Sequence, residues 1–411
     1  MTFDNDVTHA NIQHKGISAT RNEELVNLAS SLGVPRPAFP GVKSAPSVVG
    51  RLNFIENKIY DLSRISELLS LSISTNHHAN FGPVCRLLEA VISKVAKIES
   101  HQRVIAVSSG TSALLLACNS HAFSSGKAAL RWVTSAFTFQ SSILNMLSSS
   151  IVIDCDPRGR FDLNRLKELP LESYDGVIFT NVFSQMADWT DVDTFCKTNN
   201  KKLVVDNATG LMDRIEVPIK GETPIEIISA HHTKPWGVGE CGMIICSDEQ
   251  EPLIRKLSNF GAGLDTGSSR FSFNFKLSDL AAAAVIDRLE RISFWAPLYQ
   301  QQQDRILKII DNELENIISL KGTTKPKSPR SFAPFCTNFP IENINGSRVL
   351  TLAKYYKPLK PSDEFNMDIS NSLALYDRIL CIPNSPEYLS ISSDEIVSEL
   401  SELLSNATCL N

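Results

Sequence analysis

Residues 225–246 read IEIISAHHTKPWGVGECGMIIC, two apolar runs of strand length separated by a segment rich in glycine. Lys234 lies in that segment, beside Gly237, Gly239 and Gly242. A lysine that directly follows a buried strand can be held inside a cleft, where burial lowers the pKa of its amine and leaves it free to attack an aldehyde. Because most lysines are simply solvated, Lys234 indicates a site only if other residues support it.

Apolar runs of similar length recur on both sides of this stretch and alternate with helical segments. The alternation predicts an α/β domain whose mainly parallel sheet is buried on both faces. Such sheets bind ligands at the carboxyl ends of their strands, so the residues that follow each run are candidate site residues. The predicted strands are Val104–Val107, Trp132–Ala136, Ile151–Ile153, Val177–Phe183, Leu203–Val205, Ile225–Ser229 and Met243–Cys246.

The pattern divides the chain into three predicted parts. Residues 1–45 are expected to form an N-terminal extension with one short helix, Asn22–Leu32, before a proline-containing linker. Residues 46–288 form the predicted large domain, and residues 289–411 form a smaller α+β domain. The predicted helices of these two domains are Thr111–His121, Asp191–Thr198, Leu280–Arg291, Gln300–Ile318 and Ser393–Leu404.

Composition argues against several classes of protein. With a net charge of −5 over 411 residues and no run rich in Lys or Arg, the chain is not expected to bind nucleic acid. Its longest apolar run, Leu280–Ile286, is too short to span a bilayer, and the polar start does not resemble a secretory signal. Nine scattered cysteines without a CxxC pair argue against a disulfide or zinc framework and favour reduced thiols in a cytoplasmic protein. His231 and His232 are adjacent and would point to opposite faces of a strand, so no metal site is expected.

Two other strand ends carry candidate site residues. Ser108–Ser112 follows a predicted strand and begins a helix, where free N–H groups and the positive end of the helix dipole bind phosphate. An ordinary Ser/Thr helix cap would explain the same residues. Asp206 follows the strand Leu203–Val205, and a carboxylate buried there needs a cationic partner, such as a protonated pyridine nitrogen. The alternative is a strand-end aspartate that caps the next turn.

Together these elements resemble the DegT/StrS family of nucleotide-sugar aminotransferases, which are pyridoxal-phosphate-dependent enzymes of fold type I. The resemblance covers roughly residues 80–383 and implies a large α/β domain plus a smaller α+β domain. The matching segments are Thr75–Asn76, Asn80–Pro83, Leu88–Glu89, Ser109–Leu114, Thr138–Phe139, Asp154–Asp156, Asp206–Ala208, Ser229–Lys234, Gly239–Gly242, Asn274 and, as small-domain strands, Tyr355–Leu359 and Ile382–Pro383.

The resemblance implies roles for the catalytic residues. Lys234 would carry pyridoxal 5'-phosphate as a Schiff base and, once freed, act as the general base. Asp206 would hold the charge on the pyridine nitrogen, and Phe139 would stack on the ring. The implied reaction moves an amino group, with glutamate as the expected donor, to a nucleotide-linked keto sugar, as in amino-sugar and polysaccharide biosynthesis.

The remaining implied roles concern the cofactor phosphate and the assembly. Gly110, Thr111 and Ser229 would bind the phosphate. Asn274 would reach the phosphate in the partner subunit, so a homodimer with shared active sites is expected.

Four positions depart from the family pattern: Asn181, Ser184, Thr209 and Cys241. By the resemblance, they affect contacts to the cofactor ring and to the substrate. They therefore leave the identity of the sugar undetermined more than the use of the cofactor. Three alternatives to an aminotransferase make different demands on the sequence. A sugar dehydratase on the same fold typically has histidine at the position of Lys234. A regulator would need an effector or DNA-binding module that residues 1–45 are too short to supply. A structural member without activity stays open.

Overall fold

The structure, a computed structural model, describes residues 52–185, 189–214, 223–314, 317–320, 327–341, 344, 347–361, 363–365 and 367–408. The predicted N-terminal extension and its helix lie outside the described residues.

A mixed sheet of seven strands forms the centre of the larger part of the chain. Its strands are β1 (Gln102–Val107), β2 (Trp132–Ser135), β3 (Ile151–Ile153), β4 (Gly176–Thr180), β5 (Lys202–Asp206), β6 (Ile225–Ser229) and β7 (Gly242–Ser247). Their order is β1-β7-β6-β5-β4-β2-β3, with β7 antiparallel to both neighbours and the other pairs parallel. Every strand overlaps one of the seven predicted runs, so the predicted α/β fold with a mainly parallel sheet is confirmed.

Helices cover both faces of this sheet. The helices are α1 (Leu62–Thr75), α2 (Pro83–Val95), α3 (Gly110–Ser124), α4 (Leu163–Lys167), α5 (Thr190–Thr198), α6 (Glu251–Ser258), α7 (Asp279–Glu290), α8 (Ile292–Glu313), α9 (Ser370–Arg378) and α10 (Ser393–Thr408). Short 3-10 turns lie at Gln140–Ile143, Asn145–Leu147, Leu171–Ser173, Val182–Ser184, Thr266–Phe271, Asp363–Phe365 and Pro386–Ser390. None of the helices in the described ranges is long and apolar enough to cross a membrane.

The strands that precede the candidate site are buried on both sides because their side chains alternate between two cores. Ile228 and Met243 pack with α1, α2, α7 and the start of α8. Ile227 and Ile244 pack on the opposite face with α3 and α6. Alternating burial therefore fixes the register of β6 and β7, and with it the position of every residue at their ends.

A second sheet of three antiparallel strands lies in the C-terminal part of the chain. Its strands are β8 (Ile317–Ser319), β9 (Phe332–Thr337) and β10 (Ile379–Pro383), in the order β10-β9-β8. Apolar residues of α8 and α10, such as Ile306 and Leu400, pack against Phe335 and Ile382 of this sheet. The predicted mixture of helices and strands after α7 is present, while the predicted boundary between residues 288 and 289 stays a prediction.

Two predicted elements, one strand and one helix, have wrong bounds. The predicted strand Val177–Phe183 ends at Thr180, because the chain turns at the sheet edge and Phe183 takes a left-handed conformation with φ of 55°. The predicted helix Gln300–Ile318 begins earlier, at Ile292, and ends at Glu313. The last residues of the predicted helix, Ile317 and Ile318, instead pair with β9. This is a long-range contact that no local pattern shows.

Tyr355–Leu359 was expected to form a small-domain strand, and this expectation is also wrong. The segment has no regular secondary structure. Leu359 donates its backbone N–H to the carbonyl of Ala136, 2.8 Å away, just after β2 of the large sheet. Tyr355 and Tyr356 consequently lie beside the candidate site. Ile382–Pro383, the other expected strand, lies within β10 and is confirmed.

Candidate active site

A cavity of about 380 Å³ opens where β4, β5 and β6 end. Six of the seven predicted site residues line it, and they come from four separate segments of the chain. These residues are Gly110, Thr111, Phe139, Asp206, Ser229 and Lys234. The tertiary structure thus brings together residues that the sequence indicated separately.

The register of the sheet explains this convergence. Gly242 of β7 pairs with Val107, just before Ser108–Ser112, and on its other side with Ser229. Asp206 pairs with Ile227, two residues before the end of β6. The beginning of α3, the end of β6 and the end of β5 therefore lie side by side at one edge of the sheet.

Gly110, Thr111 and Ser229 form a pocket suited to phosphate. Ser109 caps α3 by accepting a hydrogen bond from the N–H of Ser112 at 3.1 Å, which leaves the first N–H groups of the helix directed outward. A Cβ added to Gly110 would lie 3.0 Å from the Cβ of Ser229, so any larger residue would crowd this pocket. With the positive end of the helix dipole added, these donors fit a dianion.

Asp206 supplies a negative charge within the cavity. Its side chain is only 3% exposed, and burial raises its pKa to about 6. A hydrogen bond from the N–H of Ala208, at 3.1 Å, and the nearby charge of Lys234 both act in the opposite direction. A buried carboxylate of this kind is stabilised by a cationic ring nitrogen, so Asp206 fits the pyridine nitrogen of the predicted cofactor.

Lys234 faces the same cavity from a tight turn. Its N–H donates to the carbonyl of His231 at 2.8 Å, and its own carbonyl accepts from the N–H of Gly237 at 2.9 Å. A Cβ at Gly237 would collide with the carbonyl oxygens of Ala230 and His231, so the turn requires glycine there. Burial lowers the pKa of Lys234, and the charge of Asp206 opposes this effect. The amine therefore loses its proton more readily than an exposed lysine and fits an aldehyde-binding role.

His231, the first of the two adjacent histidines, lines the cavity. Its Nδ1 lies 2.9 Å from the hydroxyl of Thr233, and its Nε2 lies 3.3 Å from a carboxylate oxygen of Glu240. Among the residues that the structure describes, no group of three His, Cys, Asp or Glu side chains is arranged to hold a metal ion.

One side of the cavity is an aromatic wall, which we define as Phe54, Phe139, Phe332, Tyr355 and Tyr356. Ring centroids lie 5.7 Å apart between Phe54 and Phe332, 5.4 Å between Phe332 and Tyr355, and 6.3 Å between Phe139 and Tyr356.

Sequence reasoning found only Phe139 in this wall. Phe183 lies behind the wall and stacks on Tyr356 at 5.3 Å with nearly parallel rings. The wall is built from four remote segments, and the only local signal was the Tyr355-Tyr356 pair, which was interpreted as a strand.

Three of the four departures from the family pattern meet at one corner of the cavity. Asn181 and Thr209 line it, and the hydroxyl of Ser184 donates to the carbonyl of Thr209. The side-chain amide of Asn181 donates to Asn207, next to Asp206, at 2.9 Å. The fourth departure, Cys241, is fully buried in β-sheet packing and does not line the cavity. The departures that line the cavity therefore lie near Asp206 and are not among Gly110, Thr111 and Ser229, the residues of the phosphate pocket.

Asn274 does not line the cavity of its own chain. It is exposed and forms an isolated bridge with Asn259. Its expected role in a partner subunit stays a prediction.

Comparisons with known proteins agree with this geometry. The sequence model of the DegT/DnrJ/EryC1/StrS aminotransferase family matches residues 63–401. The dTDP-4-amino-4,6-dideoxy-D-glucose transaminase of Shigella dysenteriae is 22% identical over 283 residues, which cover 65% of this chain and 76% of that protein.

Solved structures share the fold. DesI, determined in the presence of its TDP-sugar product, superposes with a TM-score of 0.71 at 18% identity, covering 91% of this chain and 95% of DesI. Helicobacter pylori PseC, an aminotransferase involved in the biosynthesis of pseudoaminic acid, superposes with a TM-score of 0.71 at 15% identity, covering 87% of this chain and 100% of PseC.

Proposed function

The chain belongs to the DegT/DnrJ/EryC1/StrS aminotransferase family, and from this premise we propose that it transfers an amino group from glutamate to a keto sugar linked to a nucleotide. The observation that carries the proposal is the pairing of Lys234 and Asp206 in one cavity, where burial lowers the pKa of the amine and raises that of the carboxyl. An amine and a carboxyl whose pKa values are both shifted towards neutrality are typical of sites that transfer protons near neutral pH.

The residues of the cavity fit pyridoxal phosphate as the cofactor. Gly110, Thr111 and Ser229 would bind its phosphate, Asp206 its ring nitrogen, and Lys234 its aldehyde carbon covalently. When bound, the cofactor supplies an electron sink for the negative charge left when the donor loses its α-proton. The aromatic ring of Phe139 would cover one face of the cofactor.

The chain's own residues perform the proton transfers in this proposal. Lys234 would take the proton from the donor's α-carbon at its Nζ atom and later return a proton. The lowered pKa of Lys234 favours the neutral amine that a base requires. The carboxylate of Asp206 would stabilise a proton on the ring nitrogen of the bound cofactor.

The proposed acceptor follows from the relatives. The Shigella dysenteriae relative is named as a transaminase of a dTDP-linked amino sugar, and DesI was solved with a TDP-sugar product. The aromatic wall supports a cyclic acceptor, because aromatic rings pack well against the apolar face of a sugar ring. The lysine at position 234, where a dehydratase of this fold would have histidine, supports amino transfer over dehydration.

The test is a half-reaction followed by an acceptor screen. Protein loaded with pyridoxal phosphate is mixed with glutamate, and 2-oxoglutarate is measured. A panel of 3- and 4-keto sugar nucleotides is then added, and the aminated product is identified by mass spectrometry. Formation of 2-oxoglutarate with an aminated sugar is the expected result. Absence of both with glutamate and with every other amino acid tried would indicate a member of the family without catalytic activity.

The proposal includes a homodimer with shared sites. Asn274 is exposed outside the cavity of its own chain, in a segment with Phe273 and Phe275 stacked 4.4 Å apart. Sedimentation at assay concentration is expected to show a dimer, and mixing Asn274→Ala with Lys234→Ala chains should restore up to about a quarter of the activity by random pairing. A fully active monomer would contradict the shared site.

A further inference from the structure

Lys58 is a buried lysine that the sequence patterns did not single out. It precedes α1 and is only 7% exposed. Its Nζ donates to the carbonyls of His232 and Gly237, each at 2.6 Å, and to the carbonyl of Lys234. An ammonium group has three N–H donors, so all three are used by one turn of six residues. That turn is the one from which Lys234 projects.

A second cation holds the same turn. Arg288, in α7, donates its Nε–H to the carbonyl of Pro235 at 2.8 Å. Its guanidinium also forms a 2.5 Å ion pair with Glu56, which accepts a hydrogen bond from Tyr299 at 3.0 Å. The carbonyls of residues 232, 234, 235 and 237 are therefore all bound by positively charged side chains.

The burial of Lys58 is energetically costly. An ammonium group removed from water is destabilised unless it is fully hydrogen-bonded. The pKa of Lys58 is lowered to about 7, chiefly by burial and also by the charges of Arg288 and Lys234, while Glu56 acts in the opposite direction. Each hydrogen bond that offsets this cost goes to the turn of Lys234, which suggests that Lys58 acts on that turn.

We propose that Lys58 is a positioning residue that fixes the backbone from which Lys234 projects. Three hydrogen bonds from one group remove the freedom of the turn, so the amine is directed into the cavity before any ligand binds. This inference rests on the proposed function of Lys234.

The test compares three full-length variants with the wild type. Lys58→Met keeps the length of the side chain without the charge or the donors. Lys58→Arg keeps the charge but not the geometry. Lys201→Met is the matched control, since Lys201 also binds two backbone carbonyls, those of Leu171 and Tyr174 at 2.6 and 2.7 Å, but far from the cavity lining.

The main measurement is the rate at which Lys234 becomes trappable by borohydride after mixing with pyridoxal phosphate, quantified by peptide mass spectrometry at a series of cofactor concentrations. In Lys58→Met the saturating rate should fall by about three- to tenfold, because the turn no longer directs the amine into the cavity. The cofactor concentration at half-saturation should stay close to that of the wild type. Lys58→Arg should recover part of the rate, and Lys201→Met should leave it unchanged. A change in folding alone would alter the half-saturating concentration as well.

The wild type separates this inference from the proposed function, because borohydride trapping reports whether Lys234 binds the aldehyde. If the wild type is labelled at Lys234 but Lys58→Met keeps the wild-type rate, the role of Lys58 is wrong and the proposed function stands. If the wild type is not labelled there, the proposed function itself fails. Should Lys58→Met not fold, Lys58→Gln, which keeps two donors without the charge, takes its place under the same criterion.

Discussion

The floor and the aromatic wall of the cavity are built in different ways. The floor, which we define as Gly110, Thr111, Asp206, Ser229 and Lys234, comes from the ends of adjacent strands or the turns that follow them. Sheet register places these residues, and each lies in a short recognisable motif. The wall comes from segments without a common register, some of them nearly 300 residues apart in the chain.

This difference indicates that the floor and the wall have different roles. The floor carries Lys234 and Asp206, whose pKa values burial moves towards neutral pH, so it is suited to cofactor and proton chemistry. In the wall, burial raises the pKa of Tyr355 and Tyr356 away from neutral pH, and the ring surface is suited to packing against the acceptor. We expect floor variants to affect the reaction with glutamate and wall variants, apart from those of Phe139, to affect only the acceptor.

The largest effect is expected for Lys234→Ala. The change removes both the amine that binds the aldehyde and the proposed base, so glutamate turnover should fall by more than about 10⁴-fold. Borohydride should trap the cofactor on the Lys234 peptide of the wild type and on no peptide of the variant. Lys197→Ala, which removes only an exposed ion pair with Asp193, is the control. Trapping on another lysine would contradict the assignment.

Asp206→Asn should slow proton transfer without releasing the cofactor. It keeps the size of the side chain but removes the charge that favours the protonated ring, and we expect a loss of about 10²–10⁴-fold. Single-turnover absorbance after mixing with glutamate measures this step without an acceptor. A rate equal to that of the wild type would show that Asp206 has another role.

The same substitution should stabilise the cofactor-free protein at neutral pH. Burial raises the pKa of Asp206 to about 6 from an ordinary value of 3.8, so the folded state binds the proton more tightly than the unfolded state. The free energy of unfolding of the wild type therefore falls as the pH rises between about 4 and 6, by roughly 2–3 kcal/mol. Urea unfolding should show Asp206→Asn more stable by that amount at pH 8 and by much less at pH 4. An equal difference at both pH values would mean that the Asp206 charge is not destabilising.

Removing the two hydroxyl groups of the phosphate pocket should weaken cofactor binding. Thr111→Val combined with Ser229→Ala deletes two donors to a dianion, each contributing about 1.5–3 kcal/mol. The dissociation constant of pyridoxal phosphate, measured by fluorescence, should rise by at least about tenfold. Ser120→Ala is the control, because Ser120 lies in the same helix α3 but bonds the carbonyl of Ala117 outside the cavity. An unchanged constant would place the phosphate elsewhere.

The smallest effect is expected at the wall. Tyr355→Ala removes one ring from the acceptor side, and an aromatic contact of about 0.5–1.5 kcal/mol corresponds to a rise of about two- to twelvefold in the KM for the keto sugar. The half-reaction with glutamate should stay close to that of the wild type. Phe294→Ala, at an aromatic residue that is 76% exposed and outside the cavity lining, is the control. A slower half-reaction with glutamate would show that the wall also contributes to the chemistry at the floor.

The local hydrophobic pattern was sufficient to predict the elements whose apolar residues are consecutive in the chain. β5 and β6 were predicted within one residue, because each is an apolar run buried on both faces. The end of α8 was not predicted, since Ile317 leaves the helical pattern only through pairing with β9. Among site residues, Lys234 and Asp206 were found because each directly follows such a run. Lys58 was not found, because a lysine before a helix is ordinarily solvated.

The sequence by itself determined the α/β fold, the strand-end motifs and the residues of the floor, since hydrophobic periodicity and short-range order are local properties of the chain. Only the tertiary structure decided which distant segments meet. It placed Tyr355 and Tyr356 in the wall instead of a strand, and it directed Lys58 towards the turn of Lys234, 176 residues away. Contacts of this kind depend on how helices and sheets pack together in three dimensions, and no local pattern of residues encodes that packing.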